Sequence, residues 1–329
     1  VFTTRVLFEW LMTKGLFTRF RAMQLLPKTN IDFLGARRWV GAIVALTVLA
    51  GGVMFVLHGG LQFGRGQVYG IDFTGGDGVM LKFAQRVDPV NIRRTLESVG
   101  AKDSFIQYQR EGTGLEVLSL RLGVGEADKV VAALQREYPA AQFTVLSKDE
   151  VGAVIGQELG KQGLAAIGTA MLVIMIYIAF RFGEFSYGAG ALTAVLSSVA
   201  ASLALFVLSG RTFSMPVVAA VLTIIGYGIN DTIVVFDRIR ENRKLTGGRL
   251  DYFALLNRSI NDTLSRTLLT GGSTIVATVL LLVLGGRVLN DFAFTFLVGV
   301  VISTVASICI ASPIVLWFHR KEAKAIAKA

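Results

Sequence analysis

Thr223–Arg243, TIIGYGINDTIVVFDRIRENR, begins as an apolar helix, carries Asn230 and Asp231 inside its apolar run, and ends in a basic cluster. An ionisable side chain at bilayer depth costs about 2.5–3.5 kcal/mol on insertion scales, so Asp231 is a functional candidate by default. Its partner should be another buried polar group, for which Arg266 is the candidate. Arg266 stands at the head of the next apolar run, LLTGGSTIVATVLLLVLGG. The chain folds back near Thr246–Gly248, and both residues lie almost equally far from that turn. Two antiparallel helices rising about 1.5 Å per residue therefore bring them to similar depth.

Around this pair the polar residues fall in register. Thr223, Tyr227, Asn230 and Asp231 sit at i, i+4, i+7 and i+8, and Arg266, Thr270, Ser273 and Thr274 repeat that spacing. Each set makes one polar stripe on an apolar helix. Hydroxyls beside one acid and one base suit a hydrated proton path. Low dielectric favours a protonated carboxyl and a nearby guanidinium favours the ionised form, so small changes in helix spacing can switch the acid. Arg266, never deprotonated, acts as a fixed counter-charge. The alternative is a structural ion pair that fixes helix register, although the hydroxyl stripes are more polar surface than such a staple requires. Asp237 and Arg238, at the helix end, are secondary candidates that solvation explains about as well as function. Thr295, Ser303, Thr304 and Ser307 in the last span read mainly as helix packing.

Composition places the chain in the membrane class: 53% of residues are hydrophobic, 17% are charged, and the mean hydropathy is +0.60. The net charge of +10 could suggest nucleic acid, but the excess lies in the termini and the Arg238–Arg266 loop, the distribution produced by the positive-inside rule. Cys309 is the one cysteine and reads as packing in an apolar run. The opening is not a signal peptide, and the missing initiator Met suggests part of something longer.

Six spans follow from apolar run length: Val40–Leu57, Leu164–Phe180, Gly188–Leu208, Val217–Phe236, Leu268–Leu284 and Phe292–Trp317. The expected divisions are an interfacial segment at 1–38, a first transmembrane helix at 39–58, a domain outside the bilayer at 59–162, helices two to six at 163–318, and a basic tail at 319–329. Both termini are expected on the cytoplasmic side. Arg258 and Asp262 read as part of an amphipathic helix on the inner face, with Phe253, Leu255 and Leu256 toward lipid. Within 59–162 the periodicity turns strand-like. Val68–Asp72 and Val79–Phe83 read as extended around Gly75 and Gly76. Pro89–Val99 is helical, Phe105–Gln109 and Leu115–Leu122 are strands about a turn at Glu111–Gly114, Glu126–Tyr138 is helical, and Gln142–Leu146 is the last strand. The order β-α-β-β-α-β is the ferredoxin-like unit. His58 reads as an interface residue at a helix end, with a proton relay as the lesser alternative. There is no phosphate-binding GxxxxGK[ST] and no His or Cys cluster for a metal, so no cofactor is expected, and work must draw on an ion gradient or a partner.

Three stretches carry a resemblance: GIDFTGG at Gly70–Gly76, GYGINDTIVVFDRIREN at Gly226–Asn242 and SRTLLTGGST at Ser265–Thr274. They are similar to signature segments of the SecF family, the smaller half of the SecD–SecF export accessory of bacteria, within the resistance-nodulation-division superfamily. Gly70, Asp72, Gly75 and Gly76 belong to the first motif. Gly228 departs from the family, which more often has Ser there. The opening VFTTRVLFEWL resembles the end of a SecD helix, suggesting the second half of a SecD–SecF fusion. The resemblance implies a polytopic inner-membrane protein with an extracytoplasmic domain, not an enzyme, that uses the proton-motive force to promote preprotein export. Its implied partners are a SecD-like half, the SecYEG translocon, YajC and the preprotein. It also places the proton-coupling pair on Asp231 and Arg266. An exporter of small molecules or lipids from the same superfamily and a passive translocon scaffold are the rival readings.

Overall fold

The structure is a computed structural model of the 329-residue chain, and it describes residues 6, 10–13, 29–61, 68–101, 104–110, 116–247 and 250–319. Most of the expected N-terminal segment, the turn at 111–114 and the basic tail beyond 319 lie outside the described residues.

Among the described residues, six helices are long and apolar enough to cross a membrane. The first, α1 (Arg37–Leu57), precedes a small α+β domain. That domain comprises the helical turn α2 (Ile71–Thr74), β1 (Gly76–Lys82), α3 (Pro89–Ser98), β2 (Phe105–Arg110), β3 (Glu116–Leu122), α4 (Ala127–Glu137) and β4 (Thr144–Val151). Five membrane-length elements follow: α5 (Ala153–Phe182), α6 (Phe185–Leu208), α7 (Met215–Leu245), α8 (Tyr252–Leu284) and α9 (Gly286–Ala306). The last continues through a π-helical turn at Ser307–Ala311 into α10 (Ser312–Phe318).

All ladders in the sheet are antiparallel, with strand order β2-β3-β1-β4. This is the ferredoxin-like arrangement. Alternation on β1 and β3 turns Val79, Leu81, Leu118, Leu120 and Leu122 inward, where they meet Ile92 and Leu96 of α3 and Val130 and Leu134 of α4. Asp88 caps α3 by accepting from Val90 N at 2.8 Å, with Pro89 in the first turn. Asp77 does the same for α4 from a distance, its Oδ2 accepting from Ala127 N at 2.9 Å. One expectation fails here. Val68–Asp72 is not one extended segment, because Ile71–Thr74 forms a helical turn whose Gly75 and Gly76 (φ 72° and 112°) steer the chain into β1.

The membrane bundle has its own core, built from α6, α7, the first half of α8 and the end of α9. Gly183 (φ 68°) ends α5 in the left-handed conformation and allows the immediate reversal into α6. Leu255 and Leu256 are fully buried in this core, so they do not face lipid. The reason is that residues 252–267 make no separate surface helix; they are the first half of α8, packed on α7. At that end Asn242 donates to Ser259 Oγ and to Asp262 Oδ2, each at 3.0 Å. Arg238 pairs with Asp262 at 2.9 Å and Glu241 at 2.8 Å, and Asp237 lies 3.6 Å from Arg181. Arg238 and Asp237 thus fasten α7 to its neighbours.

Candidate functional site

Asp231 lies midway along α7, on the face turned into the bundle, and is only 3% exposed. It is surrounded by apolar residues on its own helix, with Ile224, Ile225, Val235 and Phe236 buried above and below. Among the described residues its carboxyl accepts one hydrogen bond, from the Thr304 hydroxyl of α9 to Oδ2 at 3.5 Å. That is a long bond, and it leaves the acid weakly held. Sequence periodicity assigned Thr304 to packing, since a threonine on an apolar helix gives no sign of which neighbour it faces. Three residues beyond it the helix widens into the π-turn, an irregularity that recurs at functional sites.

Arg266 is within Coulombic range of Asp231, yet among the described residues no ion pair joins them within 4.0 Å. Arg266 is an exposed residue on the bundle surface. Tyr227, one turn before Asp231, is half-buried, and its hydroxyl is a buried group without a direct partner. The hydroxyls of Thr304, Thr274 and Thr270 lie close to it, though none reaches it in hydrogen-bond geometry. The site that α7, α8 and α9 assemble is thus Asp231, Thr304, Tyr227, Thr270 and Thr274, with Arg266 at its rim.

Thr223, Asn230 and Ser273 stand apart from that cluster, on the exposed surface of α7 and α8. Their exposure, with that of Arg266 and Thr270, forms a polar band on helices of membrane length. Most of these hydroxyls already donate within their own helices: Thr223 to Ala219 O at 2.8 Å, Thr270 to Arg266 O at 3.0 Å, Ser273 to Thr270 O at 2.9 Å and Thr274 to Thr270 O at 2.9 Å. Their oxygens remain as acceptors, so the band can order water or a donor from another chain but cannot relay protons unaided. Gly228 brings α9 close: a Cβ there would collide with the Ser303 hydroxyl. Gly70, Asp72, Gly75 and Gly76 are remote from Asp231 and sit where the sheet domain meets the start of α7.

This arrangement has relatives. The family model described as "Protein export membrane protein SecD/SecF, C-terminal" matches residues 130–321. Protein translocase subunit SecF of Desulfurispirillum indicum is 43% identical over 266 residues, covering 78% of this chain and 83% of that protein. Protein translocase subunit SecDF of Thermus thermophilus is 38% identical over 332 residues, covering 99% of this chain but 43% of that protein. The crystal structure of SecDF, a translocon-associated membrane protein from Thermus thermophilus, superposes with a TM-score of 0.79 at 35% identity, over 95% of this chain and 42% of that one. The chain thus spans less than half the length of the SecDF proteins it matches. Its six long apolar helices and antiparallel sheet, with identity sustained across most of its length, lead to one conclusion: the chain belongs to the SecD/SecF family of protein export membrane proteins, on the SecF side.

Proposed function

We propose that this chain is a proton-coupled accessory subunit of the Sec translocon that promotes export of preproteins across the bacterial cytoplasmic membrane. The observation that carries this reading is a carboxyl 3% exposed at mid-helix, held by one long hydrogen bond and near a guanidinium that does not clamp it. A structural staple would be a closed ion pair, because a buried charge without a tight partner is costly. An acid left loosely partnered is instead available to bind and release a proton. Asp231 carries the proton, Arg266 supplies the nearby positive charge, and the Thr304 hydroxyl holds the carboxyl.

A charge crossing the membrane potential gains about 2.3 kcal/mol per 100 mV, enough to shift a two-state helix equilibrium strongly. The polar band of Thr223, Asn230, Arg266, Thr270 and Ser273 is too costly to leave against acyl chains. It supports a SecD-like half as the covering partner, consistent with relatives in which the matching region is only 43% of the protein. SecYEG, YajC and the emerging preprotein complete the expected assembly, with the sheet domain extracytoplasmic and both termini cytoplasmic. The test is export in vesicles holding the full complex, with and without an imposed proton gradient. Wild-type export is expected to rise with the gradient and Asp231→Asn export to ignore it. Equal stimulation of both would leave only a scaffold.

A further inference from the structure

The GIDFTGG segment contributes nothing to the surroundings of Asp231, yet it forms the junction between the sheet domain and α7. Gly70 N–H donates to Phe213 O at 2.6 Å and Phe213 N–H donates to Val68 O at 2.7 Å, closing a parallel bridge between Tyr69 and Phe213. Arg121 of β3 donates to the Tyr69 carbonyl from the sheet side and stacks over the Phe105 ring at 4.2 Å. Burial pulls its guanidinium down to about 10, which still leaves it charged at neutral pH.

From α2 the Asp72 carboxylate reaches across this bridge, and its Oδ2 accepts from the backbone N–H of Met215, the first residue of α7, at 2.7 Å. The residue placed to do this locally, Ser214, makes no capping bond, and its hydroxyl is buried without a partner. The N-terminal N–H groups of a helix have no acceptor within it, and negative charge there complements the helix dipole. The cap of α7 is therefore supplied from 143 residues earlier in the chain. On its other side α2 is pressed against α5: a Cβ on Gly156 would stand 2.9 Å from Gly75 N and 3.2 Å from the Phe73 carbonyl carbon.

We propose that Asp72 is a positioning residue that joins the sheet domain to the helix carrying Asp231, so that the two move as one body during transport. This rests on the reading of Asp231 as the proton carrier. α7 is continuous from Met215 through Leu245, and Asp231 lies about 24 Å along its axis from the capped end. A preprotein that displaces the sheet domain therefore displaces α7 past Thr304, and proton binding at Asp231 moves the sheet domain in return.

The test uses the full chain with its SecD-like companion and the translocon in inverted vesicles, reading preprotein-stimulated proton movement per assembled complex. Asp72→Ala is expected to lower that movement at least tenfold. Asp72→Asn, whose amide oxygen still accepts from Met215, is expected to stay within threefold of wild type. Gly156→Ala, which unseats α2 and leaves the carboxylate intact, should reproduce the Asp72→Ala loss. Wild-type coupling in Asp72→Ala overturns the proposal, as does a defect in Asp72→Asn equal to that of Asp72→Ala. Should Asp72→Ala fail to assemble, Gly156→Ala decides, and wild-type coupling there overturns it too. Asp231→Asn run in parallel separates the two ideas: loss there with normal Asp72→Ala sinks the junction alone, whereas normal flux in Asp231→Asn overturns both.

Discussion

Two adjacent glycines on α1 offer a matched test of how the first span is held. Gly51 is the only buried residue of α1, and a Cβ there would overlap the Cβ, Cα and carbonyl carbon of Ala204 on α6. Gly52, one position on, would meet nothing within 4 Å. Ordinary carbon–carbon contact is about 3.5–4.0 Å, and backbone atoms cannot rotate aside, so Gly51→Ala must push α1 and α6 apart. Overpacking of this kind costs about 1–3 kcal/mol. Gly-to-Ala in a helix interior also gains roughly 0.8–1.0 kcal/mol from propensity, but that gain is common to both sites and cancels in the comparison. Gly51→Ala should therefore unfold at a free energy about 1–3 kcal/mol below Gly52→Ala. The assay is detergent-titrated unfolding of the purified protein in mixed micelles, followed by helix content. Equal unfolding free energies for the two variants would refute the argument that small-residue contact with Ala204 seats this helix.

Three further outcomes follow from single contacts. Thr304→Val keeps the shape and removes the bond to Asp231; a loss of about 1 kcal/mol, or roughly fivefold in preprotein-stimulated proton movement, is expected, with Thr304→Ser near wild type. Asn242→Ala removes a buried amide that bonds Ser259 and Asp262, and thermal unfolding should show about 1–3 kcal/mol of destabilisation. Asp77→Ala removes the cap that β1 supplies to α4; hydrogen exchange in the sheet domain should report about 0.5–2 kcal/mol of lost protection.

The membrane spans and the ferredoxin-like order were legible because both rest on local periodicity: long apolar runs for helices, alternation between turn residues for strands. Errors arose where one pattern serves two environments. Leu255 and Leu256 make the same apolar face whether it meets lipid or α7, and only tertiary packing decides. Val68–Asp72 carries strand-like residues, but the glycines after it and the pull of Phe213 and Met215 bend it into a turn. Asp72 itself was visible only as part of a motif, since no local rule links an acid to a helix N-terminus 143 residues away. Within the candidate site, Asp231 and Tyr227 stood out as polar groups in apolar runs. Thr304 did not, because an intramembrane threonine is satisfied equally well by its own helix. The exposure of Arg266, Thr223, Asn230 and Ser273 was also illegible, for a polar stripe does not say whether it faces inward or toward another chain.

In the proposed mechanism Asp231 takes up and releases the proton that drives export. Its most direct test is the pH change inside inverted vesicles carrying the whole complex, recorded as a preprotein is engaged. Wild type should move protons when preprotein arrives, Asp231→Asn should move none, and the two should contain equal amounts of assembled complex. Proton movement of wild-type size in Asp231→Asn would exclude Asp231 as the proton carrier.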